Sequence, residues 1–567
     1  MKEELRKIIF DAVRVTYPGL KIKLGDIYLE HPTVEEFGDY STNVALKFKL
    51  DPEKILSSVK LQLSLDFDPR AQVRAGFINF WLPDKWLVEQ MGKEVKTKPN
   101  GRKIVIELVS PNINKPLHIG HLRNAALGMC LANLYAASGW EVVKDEINND
   151  RGLHIMKAAY GYLVAGNTTS NNNKSWRELL NDWLKDPGHW DTPKTARQKP
   201  DFFVGQFYVQ GEKLLTEDEK EVGAQLAEML QAWEAEDKDV WKLWRQMSDW
   251  VHEGIDASYL RLGVKHDKKW YEHLLYKEGR EHILEALKKG VFEQLPDGAV
   301  QANLEKFGLA NKILIRRDGT AIYMTFDIAL TKHKVAEFKA DKYVWVVGND
   351  QIDHFKRLFV IFEMLGMGKI DQFYHLAYGM VRVPGAKMSS RLGNVILADD
   401  LLDKIKELAA KLNPETAEEV AVGAVKYAML KVDPMMDVTF DLEKSVSLEG
   451  DSGPYIQYTY ARAKSVLRKS QIPNHKFQIN SKYQFSNEEM AILRYLYRFP
   501  EVVEAAAQNY APNLVCTCLF ELAKRFNNLY NNCPILENDF RLMLTEQTSH
   551  TLKNGLGLLG IAALEKM

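Results

Sequence analysis

Glu107–Arg123 reads E-L-V-S-P-N-I-N-K-P-L-H-I-G-H-L-R, and the fold turns on how it is read. Leading into it, Lys103–Val109 is a short β-branched run without Gly or Pro, the pattern of a buried strand. Pro111 and Pro116 then interrupt regular structure. From His118 to Ala137 the chain is apolar nearly all round, as in a buried helix, and Gly139 is a natural stop. The order strand, loop, helix puts H-I-G-H in the first helical turn. Free N–H groups and the positive end of the helix dipole attract phosphate there. His118 and His121 lie one turn apart on one face. Gly120, without a side chain, lets a flat group such as a purine approach the backbone. Two imidazoles over a phosphate suit a reaction that builds negative charge on phosphorus. A His-x-x-His pair also suits a metal, but no third ligand of suitable spacing is nearby, so no metal site is expected. Taken as a lone motif, the pair reads first as two satisfied polar residues.

Composition sets the frame. A chain of 567 residues makes three or four domains, and 46% apolar residues is ordinary for a globular protein. No apolar run approaches the ~20 residues of a membrane span, and M-K-E-E-L-R-K opens a charged helix rather than a secretion signal. Cys130, Cys516, Cys518 and Cys533 are too few and too irregular for a disulfide or zinc framework, so a cytoplasmic location is expected. The net charge of −1 does not advertise nucleic acid, so any RNA contact must come from local patches.

Residues 1–100 read as a small, separately cored α/β unit whose removal should spare the rest. Its opening helix shows Leu5, Ile8, Ile9, Ala12 and Val13 on one face. Residues 101–395 read as an α/β domain. Trp140–Ile147 and Tyr343–Val347 are its further strands, and G-N-D-Q-I-D-H (Gly348–His354) sits at a carboxyl strand end, where open parallel sheets bind ligands. Within it, residues 161–255 look inserted. Polar Asn167–Lys174 and turn-rich Pro187–Pro200 precede a helical Glu219–Ile255, whose Trp241, Trp244, Met247 and Val251 stripe reads as packing. Arg316–Asp327 passes a turn at Asp318–Gly319. If a helix follows, Tyr323 and Asp327 share a face. Residues 396–567 read as helices, with a capping box at Ser486 and Glu489. Gly555, Gly557 and Gly560 match G-x-G-x-x-G, but no strand precedes them, so they read as helix-ending glycines.

A second motif changes the weight of the first. Lys387–Asn394 reads K-M-S-S-R-L-G-N, about 270 residues after H-I-G-H. The pair resembles the signatures of class I aminoacyl-tRNA synthetases, and the P-N-I-N-K-P-L-H-I-G-H-L-R string resembles the arginyl-tRNA synthetases in particular. The resemblance implies a Rossmann-type parallel-sheet catalytic domain, a small α/β N-terminal domain and an all-α C-terminal anticodon-binding bundle. It implies arginine, ATP with Mg²⁺ and tRNA(Arg) as partners, and a monomer is the default. In the catalytic role it implies His118, His121, Lys115 and Lys387. ATP would meet His118, Gly120, His121, Lys387, Met388, Ser389 and Ser390, with Gly393 letting the loop move. Arginine would meet Glu107, Asn112, Tyr323, Asp327 and Gln351, Glu107 being matched to the α-amino group. A guanidinium needs planar acceptors, ideally carboxylates. The tRNA would meet Phe77 and Asn79 of G-F-I-N-F-W-L, and Tyr455 and Tyr458 of P-Y-I-Q-Y-T-Y. Stacking with an amide hydrogen bond is a sensible way to read an unpaired base. Two departures stand out. Ser390 occupies the place of a second loop lysine, for which Lys115 is the substitute, and Asp150–Gly152 keeps only part of the family's Asp–Trp–Gly sequence.

Overall fold

Five short runs form one parallel sheet: Lys103–Glu107 (β1), Glu141–Asn148 (β2), Lys268–Tyr271 (β3), Lys342–Gly348 (β4) and Phe373–Tyr378 (β5). In this computed structural model the order is β5-β4-β1-β2-β3, every neighbouring pair parallel. The described residues are 1–32, 34–63, 69–91, 98–167, 174–384, 396–470 and 483–567. Lys387, Met388, Ser389, Ser390 and Gly393 lie outside them. Ile104, Val105, Ile106, Val344 and Val346 are buried, as strands covered on both faces require. Helix Ile119–Ala137 carries the chain from β1 to β2, and helix Ile352–Met364 from β4 to β5. Beneath β4 and β5, Trp345, Phe359, Phe362 and Phe373 pack ring against ring at 5.1–6.2 Å.

Between β2 and β3 lie the helices Leu153–Ala165, Trp176–Lys185, Pro200–Glu217, Glu219–Glu234 and Lys238–Leu262. The expected single helix over 219–255 is broken at 235–237, because the Asp237 side chain caps a new helix by accepting from the N–H groups of Asp239 and Val240. Trp244, Met247 and Val251 are buried and Trp241 stacks on Trp233, so the stripe is packing. The Asp318–Gly319 turn forms as read, with Gly319 at φ +82°, and Tyr323 and Asp327 enter helix Met324–Phe338 one turn apart. Gly555 lets Leu519 approach and Gly560 follows helix Asp539–Leu558 at φ +68°; among the described residues it is this helix, not a strand, that leads into them. No helix of the described residues is long and apolar enough to cross a membrane.

The chain divides into two compact units. Lys96–Arg462, Glu501–Phe520 and Leu552–Met567 make one, which holds the sheet. Met1–Val95, Ala463–Pro500 and Glu521–Thr551 make the other. In the latter, strands Tyr40–Thr42 and Arg70–Arg74 flank Phe77–Trp81, and Ala75 and Gly76, both at positive φ, make the two-residue hairpin turn. Leu5, Ile9, Ala12 and Val13 are fully buried and Ile8 partly so. Asp39, fully buried, accepts the Leu82 N–H at 2.8 Å and faces Arg494 at 3.2 Å and Arg498 at 3.3 Å. Tyr497 packs against the rings of His31, Tyr40 and Trp86. The first hundred residues therefore share a core with later helices. This reverses the expectation that their removal spares the rest. Deleting residues 1–100 leaves Arg494, Arg498 and Tyr497 uncovered, and the remainder is expected to melt at a lower temperature than the full chain, by calorimetry. Loss of one partner from such a buried ionic cluster costs about 3–5 kcal/mol.

Candidate active site

The strand order reverses between β1 and β4: the chain leaves β1 toward one edge of the sheet and β4 toward the other. In open α/β sheets the crevice at that point binds ligands. Glu107 ends β1, paired across from Trp345, and Asn349–Gln351 follows β4 as a short 3-10 turn. Beyond Glu107 the backbone takes positive φ at Val109 (72°) and Ser110 (42°). That conformation costs on the order of 1–3 kcal/mol per residue and needs outside support. Asn124 supplies it, accepting the Val109 N–H at 2.7 Å while its amide donates to the Val346 carbonyl of β4 at 2.6 Å. Ser110 Oγ accepts the Ile147 N–H at 3.0 Å. Asn124 escaped the sequence reading. Its signal was an Asn inside an otherwise apolar helix, one turn after His121.

His118 is the N-cap of helix Ile119–Ala137, and its Nδ1 accepts the Gly120 N–H at 3.1 Å. The His118 N–H in turn donates to His121 Nδ1 at 3.0 Å. Both Nδ1 atoms face backbone N–H donors, so both rings carry their proton on Nε2 and are neutral. Burial, then the charge of Lys115, pushes His118 down to about 4; burial, His118 and Lys115 hold His121 well below its usual value. The rings lie 3.9 Å apart, centre to centre. They form a pair of neutral Nε2–H donors at a helix N-terminus. The space above Gly120 is taken by the His118 ring, which a Cβ there would meet at 3.0 Å, so glycine serves the cap first. A variant separates cap from donor. His118→Asn keeps a capping oxygen and is expected to melt like the wild type while kcat falls about 10–100-fold, the worth of one hydrogen bond to a charged group. Calorimetry and steady-state kinetics measure the two effects.

Lys115 stands in the Pro111–Pro116 loop, half-buried, 5.6 Å from the Tyr208 ring, with no carboxylate at ion-pair distance among the described residues. Burial lowers its pKa, against the pull of Glu212. Its charge acts on His118, His121 and His154, which places its ammonium beside them.

On the other side of the crevice carboxyl groups gather. Asp327 Oδ2 is 2.9 Å from His354 Nε2; burial raises its pKa and His354 counters. Tyr323 is exposed, its ring 6.3 Å from that of His354, and its hydroxyl is pushed up first by Asp327, then by burial, Glu272 and Glu107. Glu272 escaped the sequence reading. It begins a helix after β3, is buried, and is pushed up to about 7 by burial, which Arg151 at 3.8 Å opposes and Asp150 and Asp327 reinforce. Nothing local in W-Y-E-H-L marks it. Glu107 has a different setting from the one expected: Lys334 Nζ reaches its Oε2 at 2.6 Å and Asp145 at 2.8 Å, and Ser110 Oγ donates to its Oε1 at 3.0 Å. Burial raises its pKa against Lys334. Gln351 donates to Asp350 at 2.8 Å, and Asn112 is exposed, bridged in parallel to Asn149. Asp150 takes a buttressing place, accepting the His273 N–H at 3.0 Å and meeting His273 Nδ1 at 2.6 Å.

Elsewhere in the same unit, Tyr455 packs near Phe520 and Tyr458 receives a hydrogen bond from Arg462 at 3.2 Å. In the other unit, Phe77 and Asn79 share a face of the three-stranded sheet, opposite the buried Ile78 and Phe80; Asn79 is itself buried. Among the described residues no cluster of His, Cys, Asp and Glu could hold a metal.

A parallel sheet with this switch point, with a histidine-capped helix leaving one of its strands, has the architecture of a class I aminoacyl-tRNA synthetase catalytic domain. The family model of the class I (R) tRNA synthetase catalytic domain matches residues 84–183 and 179–442, that of the arginyl tRNA synthetase N terminal domain residues 2–82, and that of the DALR anticodon binding domain residues 456–567. The chain belongs to the arginyl-tRNA synthetase family. It is 35% identical to the arginine–tRNA ligase of Bacteroides thetaiotaomicron, over 94% of this chain and 95% of that protein, and 35% identical to that of Treponema denticola over 100% of both. The Thermus thermophilus arginyl-tRNA synthetase has the same fold, with a TM-score of 0.83 at 24% identity over 100% of both chains. The reaction joins L-arginine to its cognate tRNA in two steps: arginyl-adenylate forms from ATP, then arginine moves to the 3′-terminal ribose, releasing AMP and pyrophosphate.

Proposed function

We propose that the two sides of the crevice divide this reaction between them. The observation that carries the reading is the placement of Asp327, one helical turn after Tyr323 and 2.9 Å from His354, with Glu107 ending β1, the strand that leads to the His118–His121 cap. An acidic pocket suits a guanidinium, and a helix N-terminus with neutral imidazole donors suits a phosphate. Asp327 and Glu272 bind the guanidinium with Tyr323. Asn112 and Gln351 hold the amino-acid end, and Glu107 forms the wall beneath it, its charge shared with Lys334. The substrate carboxylate attacks the α-phosphorus of ATP and pyrophosphate leaves. The protein aligns the reactants and meets the charge that develops. His118 and His121 donate their Nε2 protons as hydrogen bonds that strengthen in the transition state. Lys115 and Lys387 add positive charge, and Gly120, Met388, Ser389 and Ser390 complete the ATP seat. Mg²⁺ enters with ATP, held by its oxygens and water.

The remaining assignments belong to the same reading. Residues 1–100, with Phe77 and Asn79, meet the outer corner of the tRNA. Residues 101–395 catalyse, with an insertion at about 161–255. Residues 396–567, with Tyr455 and Tyr458, meet the anticodon arm. The enzyme works as a cytoplasmic monomer, and its site is completed when tRNA docks, a form of induced fit. ATP–pyrophosphate exchange with each amino acid, with and without total tRNA, tests this. Exchange is expected with arginine alone and only when tRNA is present. Robust exchange with another amino acid would reject the pocket, and arginine-dependent exchange without tRNA would reject the induced fit.

A further inference from the structure

The inserted helices reach the catalytic cap through a half-buried ammonium group. Lys199 immediately precedes helix Pro200–Glu217, and its Nζ lies 2.9 Å from Asp201 Oδ2, 2.6 Å from Ser258 Oγ and 2.7 Å from Asp399 Oδ2. Asp201 is fully buried and Asp399 nearly so. The cluster is built for its contents. A Cβ on Gly254 would come within 2.3 Å of Asp201 Oδ1, so helix Lys238–Leu262 needs glycine there to admit the carboxylate. Ser258, on the same helix, also donates to Asp399 at 2.8 Å. Arg261, near that helix's end, stands 3.5 Å from Asp399 Oδ1, but spends its shorter contacts on Glu418 (2.6 Å) and Asp403 (2.7 Å).

Asp399 is not an arbitrary anchor. It lies in the first turn of helix Ala398–Ala410, and the residues just before it pair with the strand-like entry to the histidine cap. The Ile119 N–H donates to the Ile396 carbonyl at 2.9 Å, the Ala398 N–H donates to the Leu117 carbonyl at 2.9 Å, and Leu397 stands opposite His118 in an antiparallel bridge. An isolated rung of two backbone hydrogen bonds is weak by itself, since each replaces a bond to water, and holds its register only if the segment carrying it is fixed. Lys199 makes the shorter of the two ion pairs to Asp399 among the described residues, 2.7 Å against 3.5 Å for Arg261. Without that ammonium, the Asp201 and Asp399 carboxylates face each other with Ser258 and the longer 3.5 Å contact of Arg261 left to Asp399, and repulsion moves Asp399 and the rung with it.

We propose that Lys199 is a positioning residue for adenylate formation: by clamping Asp399 to the inserted helices it holds residues 396–398 against Leu117–Ile119 and fixes the cap in which His118 sits. This gives the insertion a task, bracing the ATP side of the crevice, and it rests on the assignment of His118 to ATP phosphate. The test is aminoacylation kinetics of the full-length enzyme with tRNA saturating, at a temperature well below each variant's melting transition. Lys199→Met is expected to lower kcat about tenfold or more while KM for arginine stays within about twofold, because the arginine pocket lies across the crevice. Lys199→Arg, which keeps the charge, should recover much of the loss. Asp399→Asn should show the same loss, and the double variant should be no worse than either single one, since both break the same bond. Lys404→Gln, whose ion pair is with Glu407 on the exposed side of the same helix, should leave the kinetics unchanged. A Lys199→Met enzyme with wild-type kcat, or losses at Lys199 and Asp399 that simply multiply, would overturn the proposal; so would a raised KM for arginine with kcat intact. Should Lys199→Met not fold, Asp399→Asn carries the test by the same split between kcat and KM. His118→Asn run in parallel separates the two levels: unchanged kcat there removes the assignment of His118, whereas loss there without loss at Lys199 removes only the brace.

Discussion

Lys115→Ala is expected to lower kcat for adenylate formation by about 10²–10³, the usual cost of removing one preorganised stabiliser of transition-state charge. The pentavalent transition state carries charge on the α-phosphate and on the departing pyrophosphate. Ser390 stands where a second loop lysine would share that load. Lys115 lies three residues before His118 in a loop stiffened by two prolines, half-buried, and no carboxylate holds it at ion-pair distance among the described residues. Its field reaches both cap histidines and adds to the burial that holds them low. The same charge that discourages protonation of His118 is available to a phosphate above the cap. Single-turnover measurement of adenylate formation with tRNA present gives the number directly. Adding the missing lysine, Ser390→Lys, should restore part of the activity in the Lys115→Ala background and do little in the wild type. Near-full activity of Lys115→Ala would move the role elsewhere, with Arg391 the residue to test.

Asp327→Asn should cut kcat/KM for arginine by the loss of a charge-assisted pair with the guanidinium, about 2–5 kcal/mol, while ATP affinity stays close to wild type. Citrulline, which lacks the charge, should be rejected by the unmodified enzyme. A mutant that uses arginine as well as the wild type would contradict the pocket. The companion acid adds a pH signature. Glu272 sits at about 7 in the free protein, above its ordinary value. Its proton is held more tightly folded than unfolded, so its contribution to stability is full below about pH 4.5 and is lost as pH rises through about 7. A bound guanidinium favours the ionised form. Arginine should therefore bind better, and raise the melting temperature more, as pH rises through about 7, with protons released on binding below that pH. Calorimetric titration of arginine in buffers of different ionisation enthalpy counts those protons. Glu272→Gln should abolish the release.

How much of this was legible in advance follows from the range over which each feature is determined. The strand, broken loop and histidine-capped helix of Lys103–Ala137 could be read directly, because β-branched runs, prolines and a wholly apolar helical stretch act on their own few neighbours. So could the Asp318–Gly319 turn, the Ser486–Glu489 capping box and the core stripe on the Lys238–Leu262 helix. Even the helix break at 235–237 had a local cause, the Asp237 cap. What could not be read depends on partners far apart in the chain. Glu272 is indistinguishable from any helix-starting glutamate until folding sets it beside Asp327 and buries both. Glu107 looked available to a substrate until Lys334 and Ser110 took its oxygens. The first hundred residues looked self-contained until Asp39 met Arg494 and Arg498. By its local patterns, then, the sequence determined the sheet's elements and the two signature motifs, since hydrophobic period, turn chemistry and caps are short-range. Only the tertiary structure decided which charges are neutralised and which lysine holds the cap, because burial and electrostatic partnership exist only once distant segments share a dry interior.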